Sequence, residues 1–154
     1  VAKDEDVARV SVIGVPDRPG FAFKIFSKIS AKNINVDIIL QSIGRNGTKD
    51  ITFTIHRADL METLSILDPY IETIGASSVA YDENVAEVSI VGAGMETHSG
   101  TAASMFEALY AADINIHMIS TSEIKISVLI DRADADKAVA AIHERFFGDG
   151  QENE

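Results

Sequence analysis

The chain has no cysteine at all. That removes disulfides, thiolate nucleophiles and the common zinc frameworks together, and it fits a reducing compartment. There is no excess of basic residues: 13 Lys and Arg stand against 24 Asp and Glu, a formal charge of −11. Phosphate-rich partners such as nucleic acid or an anionic membrane surface would be repelled unless a local basic patch overrode that field. The basic residues are scattered, and Lys24, Lys28 and Lys32 make at most one solvated helix stripe. No apolar run approaches the ~18 residues of a membrane span, and the first residues lack a signal peptide's basic and apolar regions. The expectation is a soluble, acidic, cytoplasmic protein without nucleic-acid or membrane partners. Because the sequence starts at Val1 with no Met, it is expected to be a piece of something longer. What is present is apolar material, 46% of 154 residues, enough for one packed domain or two very small ones.

An internal repeat spans almost the whole chain. Residues 1–14 align with residues 79–92, from Val1-Ala2 and Val79-Ala80 through to Gly14 and Gly92, with nine of fourteen positions identical. After a two-residue insertion, Ala22, Ile25, Phe26 and Ile29 match Ala102, Met105, Phe106 and Leu109, each set tracing one face of an amphipathic helix. Asn33-Ile34-Asn35-Val36 then matches Asp113-Ile114-Asn115-Ile116. Two alternating strands follow, Ile51/Phe53/Ile55 and Ile126/Val128/Ile130. Each copy continues through Arg-Ala-Asp, at 57–59 and 132–134, into a second helix, with Leu60, Leu64, Leu67 and Ile71 against Ala135, Val139, Ile142 and Phe146. Pro19-Gly20 and Ser99-Gly100 precede the first helices, and Asn46-Gly47 is a strong hairpin turn between strands two and three of the first copy.

Each copy therefore reads strand, helix, strand, strand, helix, strand. That order in about 75 residues defines an α+β fold: two tandem ferredoxin-like βαββαβ units, antiparallel sheets with helices on one face. Strands with apolar residues at both parities (Ile38-Ile39-Leu40, Met118-Ile119) call for cover on the other face, and units this small are marginal alone. The halves are expected to pack together and onto a second chain. The second copy ends at Phe146-Phe147-Gly148 without a last strand, while Val1–Asp4 is the sequence twin of Val79–Asp82. Residues 1–4 are thus expected to supply the missing edge strand; the alternative is a frayed stub.

Catalytic and metal residues are expected to be absent. His56, His98, His117 and His143 show no H-E-x-x-H spacing, and no G-x-S-x-G elbow exists. Gly92-Ala93-Gly94 follows a strand, but a dinucleotide fingerprint needs its third glycine where Thr97 stands, and no Gly-Lys-Ser/Thr phosphate loop occurs. More telling is that both copies carry a special loop in the same place, Gly14–Gly20 and Gly92–Gly100, each leading to a helix N-terminus. Unpaired N–H groups and the helix dipole there favour an anion such as an α-carboxylate. Facing it is the start of the second strand: Asn35, Val36, Asp37 and Gln41 in one copy, Asn115, Ile116 and His117 in the other. Side by side, such strands would bind the zwitterionic end of an amino acid. In the plainer alternative, the glycines only make turns and Asn35 and Asn115 only cap a bend.

Those segments, together with Val91–Met95 and Ile119-Ser120-Thr121-Ser122-Glu123-Ile124-Lys125-Ile126-Ser127-Val128-Leu129-Ile130, closely resemble the tandem ACT-domain regulatory region of bacterial aspartate kinases. The resemblance covers essentially the whole chain and implies ACT domains over residues 5–82 and 83–147, with 1–4 as the added strand and 148–154 as a disordered acidic tail. It implies a catalytic kinase domain N-terminal to the region, or a separate α subunit (a phosphotransferase using ATP and L-aspartate), with no catalytic residue and no cofactor on this chain. It further implies feedback inhibition by lysine, threonine or both, bound in the seams of a homodimer. Carried over by position, the first seam would use Asp17, Pro19, Gly20, Asn35, Val36, Asp37 and Gln41, with Asn115 and Ile116 from the partner. The second would use His98, Gly100, Thr101, Ser122 and Glu123. Asp17 or Asp37 suits an ammonium, Gln41 a threonine hydroxyl and Glu123 a lysine side chain, although Ser122-Glu123 also reads as a plain hairpin turn. Ser99 stands where the first loop has proline, so the seams need not be equivalent. The competing expectations are a ligand-free ACT-type dimerisation module and an enzyme using the Gly92 loop.

Overall fold

A computed structural model of the chain describes residues 1–42, 44, 46–91 and 99–148. The chain divides into two compact units, Asp6–Glu83 and a second made of Val1–Glu5 with Asn84–Glu154. The first unit contains most of β1 (Ala2–Pro16), α1 (Phe21–Ser30), β2 (Val36–Gln41), β3 (Thr48–His56), α2 (Leu60–Leu67), α3 (Ile71–Ile74) and the opening of β4 (Ser78–Val91). Its strands lie in the order β2-β3-β1-β4. The second unit contains the rest of β4, α4 (Ser99–Ala111), β5 (Ile116–Thr121), β6 (Lys125–Asp131) and α5 (Ala135–Phe147), with strand order β1-β4-β6-β5. Its fourth strand position is held by residues 2–5 of β1. The β1–β3, β2–β3, β4–β6 and β5–β6 pairings are all antiparallel, the ferredoxin-like arrangement expected from the repeat.

Period-two alternation puts Ala8, Val10 and Val12 of β1 and Ile51, Phe53 and Ile55 of β3 in one core, against Ile25 and Ile29 of α1 and Leu60 and Leu67 of α2. The Phe26 ring meets Phe53 edge-on, with centroids 5.2 Å apart. The second core repeats the pattern with Val88, Ile90, Ile126, Val128, Ile130, Met105, Leu109, Ala138 and Ile142, and Val1 packs against it. Ile38 and Met118 are buried, whereas Ile39, Leu40 and Ile119 are exposed.

Two element boundaries depart from the sequence expectation. The second helix of the first unit does not run through Ile71: it stops at Leu67, tightens to a 3₁₀ turn over Asp68–Tyr70 and resumes as α3. Pro69 has no N–H to donate and its ring crowds the carbonyl four residues back, so the regular ladder cannot pass. Helix α4 begins at Ser99, which places Ser99-Gly100 inside its first turn rather than before it.

Both first helices end in the same device. Asn33 (φ 58°) and Asp113 (φ 61°) adopt the left-handed conformation. Asn33 N–H bonds Ser30 C=O and Ile34 N–H bonds Ile29 C=O; Asp113 and Ile114 repeat this with Tyr110 and Leu109. These are Schellman motifs, each with its apolar contact, Ile34 to the Ile29 side of one core and Ile114 to the Leu109 side of the other. The stop is sharp, and it delivers Asn35 and Asn115 to the threshold of β2 and β5. Among the described residues no helix is long and apolar enough to cross a membrane.

Candidate functional site

The site in the first unit is built from the end of β1. The β1–β3 register shifts between Val12 and Val15, and Gly14 sits in the bulge at φ 73°, its N–H donated to Asp50 Oδ1 at 3.0 Å. A Cβ on Gly14 would lie 2.3 Å from Ser77 Oγ, so the position excludes side chains on both conformation and space. Beyond the bulge, Asp17 N–H is donated to Gly47 C=O at 2.8 Å, which ties the loop to the Asn46-Gly47 turn of the β2–β3 hairpin. Both turn residues have positive φ, the left-handed conformation that Asn and Gly adopt most readily.

Gly20 (φ 98°) is the N-cap of α1 and offers no side-chain cap. The first helical bond runs from Lys24 N–H to Gly20 C=O, so the N–H groups of Phe21, Ala22 and Phe23 have no partner within the helix. No acidic side chain occupies that first turn. Positive potential at this helix start therefore stands beside the loop carrying Asp17. The Asp17 carboxylate is 46% exposed and pairs with Lys49 Nζ at 3.3 Å, while Lys49 itself is only 18% exposed. Gly44 lies so close to Asp17 Oδ2 that a Cβ there would meet it at 2.4 Å.

The other half is the start of β2. Asn35, Asp37 and Gln41 are exposed, and Val36 packs against the first core. The β2–β3 ladder shifts between Val36 and Ile39, and Ile38 N–H is donated to Thr54 Oγ1 at 3.0 Å. As the edge strand of its unit, β2 presents its outer backbone groups without a neighbouring strand in that unit.

The seven first-seam residues named from sequence thus fall on two elements, the loop before α1 (Asp17, Pro19, Gly20) and β2 with its threshold (Asn35, Val36, Asp37, Gln41). In the second unit Asn115 and Ile116 hold the equivalent place at the start of β5, Asn115 exposed and Ile116 against the core. Beside them His117 Nε2 meets Asp131 Oδ1 at 2.7 Å. Gly100 and Thr101 lie in the first turn of α4. Ser122 and Glu123 form the β5–β6 turn, closed by Ser122 N–H to Lys125 C=O at 2.8 Å. Glu123 is exposed, with no salt-bridge partner among the described residues. His98 and the rest of 92–98 lie outside the described residues. Among the described residues no cluster of three or more His, Asp or Glu is placed to hold a metal.

Sequence reasoning missed Lys49 and Asp50, whose roles depend on the register of β3 beside a bulge. It also missed a charge pair preserved between the copies: Arg57 Nε lies 3.4 Å from Glu83, and Arg132 Nε 3.9 Å from Glu5. Here the signal was available, because Glu5 and Glu83, like Arg57 and Arg132, are repeat equivalents. Near the same end, the Asp136 hydrogen bond, with help from Glu5, raises the Lys3 ammonium to about 12.

Two sandwiches of this strand and helix order define a pair of ACT domains. ACT-domain family models match residues 8–69 and 88–146. The aspartokinase of Pseudomonas aeruginosa is 49% identical over 146 residues, 95% of this chain and 35% of that protein. The chain thus spans about a third of the length of the curated relatives it matches. Among solved structures, aspartokinase alpha and beta subunits give a TM-score of 0.87 at 47% identity, covering 94% of this chain and 95% of that one. The ligand-free regulatory subunit of aspartate kinase from Thermus thermophilus gives 0.88 at 36% identity, with the same coverage. The chain belongs to the tandem ACT-domain regulatory regions of aspartate kinases.

Proposed function

We propose that the chain is a cytoplasmic sensor that binds lysine, threonine or both between ACT domains of a homodimer and relays feedback inhibition to an aspartate kinase catalytic domain or α subunit. It needs no cofactor of its own. The observation that carries this is one arrangement: an uncapped helix start beside an exposed carboxylate, Asp17, in the same unit as an edge strand with Asn35 at its threshold. The helix start suits an α-carboxylate and Asp17 or Asp37 an ammonium, while the free strand edge offers backbone partners to the same zwitterion. Gln41 then reads a threonine hydroxyl and Glu123 a lysine ammonium. Several such charge-assisted bonds support a Kd of ~0.1–1 mM, about 4–5.5 kcal/mol. Inhibition requires tighter binding to the low-activity arrangement, and a coupling of ~1–3 kcal/mol is typical. A ligand held between two chains gains that differential where the seam geometry differs between the two states.

Calorimetric titration of the chain with lysine, threonine and the two together tests the proposal. Saturable binding of at least one, weakened tenfold or more in Asp17→Ala or Gln41→Ala at unchanged melting temperature, supports it. A stable dimer that binds none of the twenty amino acids would instead be a ligand-free dimerisation module, a reading favoured by the exposed Ile39, Leu40 and Ile119 of β2 and β5.

A further inference from the structure

A polar cleft in the first unit lies beside the effector positions assigned above. A cleft of about 480 Å³ opens between the β1 bulge and the start of β3, lined by Gly14, Ser42, Thr48, Lys49, Asp50 and Ser77, among others. Its size falls within the ~300–1,000 Å³ span of small-molecule sites. Its lining combines one cation, one anion, three hydroxyls and the Asn46 amide. Asp50 Oδ1 accepts the Gly14 N–H, and Oδ2 has no partner among the described residues. Lys49 meets Asp17 at 3.3 Å, and an ammonium carries three donors. The Asp50 main chain is clamped in turn, its N–H donated to Ser42 Oγ at 2.9 Å and its C=O accepting Ser42 N–H at 3.0 Å. The charges therefore sit on a braced piece of backbone rather than on a loose loop.

We propose that this cleft is itself a site for a zwitterionic α-amino acid with a short polar side chain, one per chain and contained within the first unit. Lys49 takes the carboxylate, Asp50 Oδ2 takes the ammonium, and the hydroxyls of Ser42 and Ser77 face the side chain. Lys49 and Asp50 present opposite charges to one cleft, which matches a zwitterion, whose carboxylate would share the Lys49 ammonium with Asp17. The repeat explains why the site is single: where the first unit has Lys49-Asp50, the second has Ile124-Lys125, without an acid. This extends the amino-acid-binding reading above, and it places a ligand on residues that reading does not use.

The discriminating variant is Asp50→Asn, which keeps an oxygen for the Gly14 N–H but removes the charge. Ser77→Gln narrows the rim without touching either charged group. Calorimetric titrations of the wild-type chain with threonine, serine, asparagine and lysine are compared with the same titrations of both variants and of Gln41→Ala. The cleft assignment expects at least one amino acid to bind tenfold or more weakly, or with one site fewer per chain, in both Asp50→Asn and Ser77→Gln. Titrations unchanged in both variants overturn the cleft, and the seam reading survives separately if Gln41→Ala loses binding. Loss in the cleft variants with Gln41→Ala unaffected upholds the cleft and removes the seam. No binding by the wild-type chain overturns both.

Discussion

Gly14→Ala is the sharpest perturbation of the framework around the site. Gly14 is held at φ 73°, a conformation that costs an L-residue ~1–2 kcal/mol. The new Cβ would also lie 2.3 Å from Ser77 Oγ, 3.0 Å from Ser77 Cβ and 3.3 Å from Ser77 N. The hydroxyl can rotate away, but Cβ and the backbone cannot, because Ser77 N–H is bonded to Ile13 C=O at 2.8 Å. Overpacking of this kind costs ~1–3 kcal/mol. The sum, about 2–5 kcal/mol, is a large fraction of a small domain's stability. Urea unfolding should show the midpoint falling at constant slope. Ser77→Gly removes the steric part and leaves the conformational part. The double variant should therefore show a favourable coupling of ~1 kcal/mol or more, with the remaining ~1–2 kcal/mol unrecovered. A Gly14→Ala variant within ~0.5 kcal/mol of the parent, or a double variant with no coupling, would refute the bulge geometry on which both the Asp17 loop and the cleft rest.

Three further outcomes follow from single features. Asp113→Gly should raise stability by ~0.5–1 kcal/mol by relieving a left-handed non-glycine residue at a helix end, whereas Asp113→Val should lower it; a denaturation curve unmoved by either would contradict the Schellman assignment. Ser89 and Ser127 share a buried hydrogen bond of 2.9 Å in the second sheet, so Ser127→Ala should cost ~1–2 kcal/mol, with a clear coupling to Ser89→Ala in a double-mutant cycle; simple additivity would remove the pair. Lys3 should titrate by NMR near 12 rather than at 10.5. Because its folded value is raised, its stabilising contribution is complete below 10.5 and disappears as pH climbs through about 12; Asp136→Asn should pull the midpoint down, and no change there would exclude that partner.

Much of the fold was legible because the chain states it twice. The spacing of Ile25 and Ile29, repeated at Met105 and Leu109, identifies a helix face independently of any one residue's propensity, and Ile51/Phe53/Ile55 with Ile126/Val128/Ile130 does the same for strands. The helix starting at Leu60 was overextended because apolar periodicity continues through Pro69 even though the hydrogen-bond ladder does not. For the site, the loop and the strand start were visible as composition, but their supports were not. Asp17 meets Lys49 across thirty-two residues of sequence, and Gly14 meets Asp50 across thirty-six. Nothing local to any of these four residues announces its partner.

The sequence by itself determined the two-unit plan, the type of each element and the ACT-domain resemblance, because apolar periodicity and repetition are local properties that survive without coordinates. Tertiary structure decided what depends on register: where the β1 bulge falls opposite β3, and which charge stands beside which. The physical reason is that a one-residue slip in strand pairing leaves the composition unchanged yet sends every side chain to the opposite face. Partner identities in a sheet are settled only when the strands are paired.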